Sequence, residues 1–299
     1  MSDFDPAERR KYIGASEIPA ILGVSPWRTP LDVYLEKTGA QPPQPDNEAM
    51  YWGRALEPHI IARYEHDTGK KVVDRQKEFM AGPLLRCHVD GVVEEEGALI
   101  EAKTARSSEG WGAAFTDEIP VYYYAQVQAQ MYMTNLAMCH VPVLFLSDRQ
   151  FVIYQVERDG EMGRRVCAKA RAFWDDHIHA NIPPPPRNAE DALKLFPKHK
   201  PGSCLTNPEL TKMVSDFSAL DAQAKEFGRQ AAIIKDQIVA RMGEYEMLSD
   251  GPNTIATWRH QQSRRFDTEK FKEKRPDLYK QYIKTIDTRV FRLKGQKGE

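Results

Sequence analysis

The sequence predicts an α/β fold: a mixed central sheet flanked by helices, then a long helix and a small α/β appendage. Three observations predict it. Short apolar runs of strand length alternate with helical periodicities over residues 9–186. Four consecutive prolines at 183–186 close that stretch, because they cannot continue a helix and form a stiff extended spacer. Beyond them Met213, Phe217, Leu220, Ala224, Phe227, Ala231, Ile234 and Ile238 step 4-3-4-3-4-3-4, a heptad seam. The expected divisions are a first domain over 1–187, a linker over 188–206, a long helix over 207–245 and an appendage over 246–299.

Taken in order, residues 9–23 contain Gly14-Ala15-Ser16-Glu17-Ile18, where Ser16 reads as the N-cap of a short helix. Residues 30–37 form a second helix, with Pro30 at its start and Gly39 just beyond its end. After a proline-rich loop, a longer helix runs over 48–68 and is closed by Gly69. Its stripe of Trp52, Leu56, Ile60 and Tyr64 faces a core, with Glu57 on the same flank. Strands follow at 71–79, 85–93 and 98–103. Residues 94–97 make a tight connection between the last two, so the pair reads as a hairpin. A helix at 121–134, strands at 138–146 and 150–157, and a helix at 160–179 complete the first domain. The long helix would span roughly 50 Å at about 1.5 Å per residue; its partner is open between another chain and the tail of this one, with intramolecular packing or a local arm favoured over a true coiled coil. The tail reads as a strand at 254–258, a helix at 268–283 and a strand at 288–293.

Composition sets the outer limits. The 299 residues are 41% hydrophobic and 28% charged, the balance of an ordinary water-soluble protein. No apolar stretch approaches the roughly 18 residues of a membrane span, and the first ten residues lack a signal-peptide core. The expected location is the cytoplasm of a bacterium or phage-infected host, without membrane contact. Cys87, Cys139, Cys167 and Cys204 are scattered, which fits free thiols in a reducing compartment and argues against an iron–sulfur cluster. Net charge is −1, yet residues 258–297 hold thirteen Lys/Arg against five Asp/Glu, a local +8 that leaves −9 elsewhere. A basic tail beside an acidic body suits polyanion contact; a solvated charged helix is the competing account.

The chemistry concentrates in 87–103. Asp90 lies on one strand, and Glu101 and Lys103, two residues apart, project from one face of the next. Two carboxylates and an ammonium converging on an apolar sheet are costly unless a hard cation bridges the acids, which points to Mg²⁺, with Mn²⁺ as a possible substitute. The bland alternative is an Asp-Gly turn and a solvated Glu-x-Lys edge.

Five segments in order resemble the YqaJ/lambda-exonuclease family, phage-type recombination nucleases of the PD-(D/E)XK superfamily. They are Ile13-Gly14-Ala15-Ser16-Glu17-Ile18, Trp52-Gly53-Arg54-Ala55-Leu56-Glu57, Asp90-Gly91, Glu101-Ala102-Lys103 and Ala125-Gln126-Val127-Gln128. The resemblance covers residues 9–186. It implies a restriction-endonuclease-like core and a Mg²⁺-dependent 5′→3′ exonuclease on double-stranded DNA ends. It also implies a homo-oligomer, often a ring-shaped trimer, and a single-strand annealing protein as a possible partner. By the same resemblance Asp90, Glu101, Glu57 and the Ala102 backbone carbonyl hold metal, and Lys103 orients the attacking water. Gln126 lies beside the site, and Arg9 and Ser16 grip a terminal 5′-phosphate, with Arg10 in place of Arg9 if the register slips by one. A structure-specific or single-strand endonuclease and a catalytically idle DNA-binding module remain the rival readings. His59, His88, Trp111 and Phe115 lie near the site in sequence without an assigned role, and Trp258, Phe266, Tyr279 and Tyr282 are candidates to meet bases along the tail.

Overall fold

Two residues, Gly91 and Pro142, decide how the sheets of this chain are cut. The computed structural model describes residues 6–202, 204, 206–286 and 288–293, and the chain divides into two units, Met1–Leu195 and Phe196–Glu299. The first unit opens with α1 (Pro6–Arg9), β1 (Ile13–Gly14), a 3-10 turn (Ala15–Glu17) and α2 (Ile18–Ile21). Helix α3 (Pro30–Lys37) starts on a reciprocal cap: Thr29 accepts from the Asp32 N–H, and Asp32 Oδ2 accepts from the Thr29 N–H at 2.8 Å. Helix α4 (Glu48–Thr68) is capped by Asn47 and closed by Gly69 at φ 70°, a left-handed conformation that glycine adopts without strain. Six short strands follow: β2 (Val72–Val73), β3 (Lys77–Ala81), β4 (Leu85–Val89), β5 (Gly91–Val93), β6 (Ala98–Ile100) and β7 (Lys103–Ala105). Then come α5 (Val121–Thr134), β8 (Met138–Phe145), β9 (Gln150–Glu157), α6 (Gly160–Phe173) with a π-helical continuation over Trp174–His179, and α7 (Ala189–Leu195).

These strands make two sheets. β4 pairs with β1 in parallel and with β3 antiparallel. The larger sheet runs β2-β5-β6-β8, with β7 following β6 along one side of β8 and β9 antiparallel on the other. The expected hairpin is present as β5 and β6, joined by a turn at 94–97 with Gly97 at φ 61°. Each of its expected strands, however, is interrupted. The run at 85–93 breaks at Asp90, where the chain leaves the small sheet for the large one. There β5 passes so close to β2 that a Cβ on Gly91 would sit 2.3 Å from Val72 Cγ1. The run at 98–103 breaks at 101–102. Ile100 pairs with His140 and Lys103 with Val143, the same offset, so Ala102 lies in register with Pro142. Proline has no N–H to donate, and one rung of the ladder is lost. The expected strand at 71–79 likewise splits into β2 and β3, because Asp74 and Gln76 adopt φ 52° and 57°.

The core lies on both faces of the large sheet. On one face Val127, Ala129 and Met131 of α5 pack with Val141, Val143 and Phe145 of β8, all fully buried. On the other, Ile61 and Tyr64 of α4 pack with Val93, Ile100 and Ile153. Each such side chain contributes about 1.5–3 kcal/mol on burial. The expected α4 stripe needs correction: only its C-terminal half enters the core, and Trp52 is exposed. The linker expected at 188–206 is helical over Ala189–Leu195 instead. Asp191 of α7 is buried against α3 and accepts from Thr29 Oγ1 at 2.9 Å, so the first unit continues past the prolines.

In the second unit Asn207 caps α8 (Pro208–Met242), accepting from the Leu210 N–H at 2.7 Å. A hairpin follows, β10 (Met247–Asp250) and β11 (Asn253–Thr257), then α9 (Thr268–Lys274) and α10 (Pro276–Tyr282). The single helix expected at 268–283 is split by Pro276, and the strand expected at 288–293 does not form: those residues are irregular. No helix of the described residues is long and apolar enough to cross a membrane.

Candidate active site

The two strand breaks meet. Asp90, at the bend between β4 and β5, turns its carboxylate toward the gap in β6–β7, and its Oδ2 accepts the Ala102 N–H at 2.8 Å. Glu101 donates its own N–H to the His140 carbonyl at 3.0 Å and sends its side chain inward, 4% exposed. A carboxylate buried this deeply needs donors on both oxygens. Gln126 Nε2 donates to Oε1 at 2.7 Å and Gln130 Nε2 to Oε2 at 2.6 Å, one turn apart on the buried face of α5. Lys103 Nζ also pairs with Oε1 and lies 5.0 Å from the centroid of the Tyr123 ring. Glu57 approaches from α4, its Oε1 accepting from Gln76 Nε2 at 2.6 Å.

The electrostatics follow from this crowding. Burial, then the Glu101 carboxylate, hold Asp90 well above the usual carboxylate range, with Glu57 adding to the effect against Lys103. Glu57 is itself raised, first by burial and then by Glu101, while the Gln76 hydrogen bond pulls the other way. Burial alone would lower Lys103, but Glu101 and Asp90 outweigh it and leave the ammonium more firmly protonated than a free lysine.

The donor chemistry of Asp90, Glu101 and Glu57 fits a hard divalent cation: oxygen ligands whose mutual repulsion a positive ion relieves. Among the described residues Glu101 Oε2 has only Gln130 as donor, so it retains lone-pair capacity. Among the described residues no three His, Cys, Asp or Glu side chains already stand close enough to enclose an ion, so ligation would require the acids to draw together.

A second polar cluster surrounds the 3-10 turn. Arg9 Nη2 donates to Ser16 Oγ at 3.5 Å, so the two residues expected to act together are neighbours. The expected N-cap role of Ser16 is not found. The turn is braced instead by Glu17, whose Oε2 accepts the Gly14 N–H at 2.8 Å. Glu17 is buried with Lys37, Nζ to Oε2 2.7 Å, and stands 3.7 Å from Arg9 Nε; Lys37 also donates to the Arg9 carbonyl. Burial lowers the Lys37 pKa against the pull of Glu17. Arg10 points elsewhere, its guanidinium against Gly39. The turn packs on α5, the helix that carries Gln126.

Gln130 and Tyr123 touch the cluster and were missed by sequence reasoning. The signal that could have found them is their spacing from Gln126, four residues on and three back along α5. His140 was also missed: it is buried, with Nδ1 2.5 Å from the Tyr64 hydroxyl, and burial lowers its pKa. His59 and His88 are exposed, and His88 faces Glu78 at 3.7 Å. Trp111 is packed among Tyr123, Phe145 and Tyr154, whereas Phe115 is 64% exposed.

Residues 7–137 match the model of the YqaJ-like viral recombinase domain. The YqaJ protein of Bacillus subtilis strain 168 is 30% identical, over 96% of this chain and 92% of its own length. Among solved structures, an alkaline exonuclease from Laribacter hongkongensis is similar at 23% identity, over 59% of this chain and 92% of that one, with a TM-score of 0.47. A phage-related exonuclease from Haemophilus somnus 129PT is similar at 14% identity, over 57% and 96%, with a TM-score of 0.43.

Proposed function

Because the chain belongs to the family of YqaJ-like viral recombinase domains, we propose that it is a metal-dependent deoxyribonuclease. It digests linear double-stranded DNA from its ends, 5′ to 3′, leaving 3′ single-strand overhangs for phage-type recombination. One observation carries this reading. Asp90, Glu101 and Lys103 meet at a backbone gap around Ala102, with Gln126 fixing Glu101.

Asp90, Glu101, Glu57 and the Ala102 carbonyl would hold Mg²⁺, with Mn²⁺ as a substitute. When bound, the cation neutralises charge on the scissile phosphate and its leaving oxygen. Lys103, paired with Glu101, would act as a donor that orients the attacking water without being the base itself. Gln126 holds Glu101 in one rotamer. Arg9 offers a planar fork to a terminal 5′-phosphate and Ser16 adds a hydroxyl, with Glu17 and Lys37 fixing both from behind. The assembly expected from the family resemblance is a ring-shaped trimer threading a DNA end, with a single-strand annealing protein as partner, in the cytoplasm.

The test compares linear duplexes bearing 5′-phosphate and 5′-hydroxyl ends with covalently closed circles. Digestion is expected for the phosphorylated linear duplex in Mg²⁺, to fall with the 5′-hydroxyl and for Arg9→Ala, and to vanish for Lys103→Ala. Cleavage of closed circles, or full activity in Lys103→Ala, would overturn the reading.

A further inference from the structure

The seam on α8 is left open by the fold. Among the described residues Leu220, Phe227 and Ile234 are 64%, 66% and 57% exposed, and Phe217, 48% exposed, meets the Phe291 ring edge-on at 5.7 Å. From 213 to 238 the seam is about 38 Å long at ~1.5 Å per residue. Neither later helix of the same unit is long enough to cover it: α9 and α10 have seven residues each, about 10 Å apiece. A 35-residue helix with this much apolar surface in water implies a partner of matching length.

We propose that α8 pairs with α8 of a second copy of this chain as an antiparallel coiled coil. Size and charge along the seam select both the partner and the direction. In the antiparallel register that keeps every seam residue from 213 to 238 in contact, Phe227 faces Ala224 of the second copy, Leu220 faces Ala231 and Phe217 faces Ile234. Each small residue thereby meets a large one, and layer volumes stay even. A parallel pair would stack Phe227 on Phe227 and Ala224 on Ala224, so crowded layers would alternate with voids.

The flanks agree. The antiparallel register brings Asp221 alongside Lys235 of the second copy, twice by symmetry, with Gly228 near the axis where backbones come closest. The parallel register sets Asp216 against Asp221, like charge on like. Asp221 is held within its own helix by Lys225, Nζ to Oδ2 2.7 Å, while Lys235 has no ion-pair partner among the described residues. This pairing is separate from any ring formed through the first unit, and it stands whether or not the nuclease reading does.

The experiment is sedimentation equilibrium on the purified full-length chain. Phe227→Asp places two charges in the seam and leaves the rest of the fold untouched, because Phe227 is exposed; it should halve the assembly's mass, whatever the wild-type stoichiometry. Asp221→Lys should weaken the association about fivefold to thirtyfold, since two attractive contacts become repulsive, and Asp221→Lys with Lys235→Asp should restore it. An unchanged mass for Phe227→Asp would overturn the proposal and assign the face to another protein. Tighter association of Asp221→Lys would overturn the antiparallel direction, because that change relieves the Asp216–Asp221 clash of a parallel pair.

Discussion

Asp90→Asn should make the protein more stable while abolishing its activity, and the two effects should separate with metal and pH. Asn is isosteric with Asp, so no cavity opens, and its side-chain oxygen still accepts the Ala102 N–H that Asp90 takes at 2.8 Å. What changes is the charge. Burial and the Glu101 carboxylate hold Asp90 well above the ordinary carboxylate range, so its ionised form costs folding energy at neutral pH. A folded-state pKa raised above the unfolded value means that the group favours folding at low pH, and that this contribution is lost as pH rises. The Asn advantage should accordingly be small near pH 4 and larger near pH 8. Relieving a strained functional site of this kind commonly yields about 0.5–2 kcal/mol, and for the first unit about 2–4 °C of melting temperature per kcal/mol. Divalent metal reverses the order. At about 100 times its dissociation constant Mg²⁺ stabilises the wild type by roughly 2.7 kcal/mol, a gain that the variant forfeits. Thermal unfolding of both proteins in EDTA and in Mg²⁺, at both pH values, reads all of this. An Asn variant that melts below wild type in EDTA at pH 8 would refute the reasoning, because Asp90 would then contribute stability rather than store repulsion.

Gln130→Leu removes the donor on Glu101 Oε2; a hydrogen bond to a charged group is worth about 1.5–3 kcal/mol, so turnover on linear duplex should fall roughly tenfold to a hundredfold, and unchanged turnover would deny Gln130 a positioning role. Gly91→Ala drives a methyl into Val72 and should cost about 1–3 kcal/mol in urea unfolding; a neutral result would mean that β2 moves aside freely. Asp32 is lowered because the hydrogen bonds from Lys194 and Thr29 outweigh its burial, and a lowered carboxylate stabilises above its unfolded pKa and ceases to as pH falls through the folded one. Lys194→Met should therefore cost about 0.5–1 kcal/mol at pH 7 and the difference should close as pH drops below about 4; a gap constant with pH would exclude Asp32 as its source. Removing the basic tail from residue 254 should weaken DNA binding and flatten its salt dependence by about 0.9 in log–log slope for each DNA phosphate that the tail had neutralised, whereas an unchanged slope would move the tail's role to binding other proteins.

Much of this molecule was legible in its residues. The helices at 30–37, 48–68 and 121–134 lie where caps, prolines and closing glycines put them, because those signals act within a few residues. The association of Asp90, Glu101, Lys103 and Gln126 also follows from motif order. What stayed hidden depends on partners distant in sequence. The splitting of 98–103 is caused by Pro142, some forty positions on, and the strand periodicity of 98–103 itself is unbroken. The exposure of Trp52 could not be inferred from its place in the α4 stripe, since that stripe reaches the sheet only in the C-terminal half of the helix. Gln130 reads as an ordinary helix residue until Glu101 is placed beneath it. The heptad pattern was plain, but a pattern does not say what lies across from it.

The missing rung at Pro142 also bears on the order in which the chain assembles. Strands normally extend by zippering outward from a pair already formed, and loop closure then costs little for each added rung. Here β6 and β7 pair with β8 in one register interrupted by a single rung, and both must reach it across about forty residues that include the whole of α5. Pairings so remote in sequence are slow to form. The segment between them therefore takes its final shape only once α5 and β8 have docked, and a chain arrested before that step would hold a nearly complete sheet with an unfinished catalytic centre.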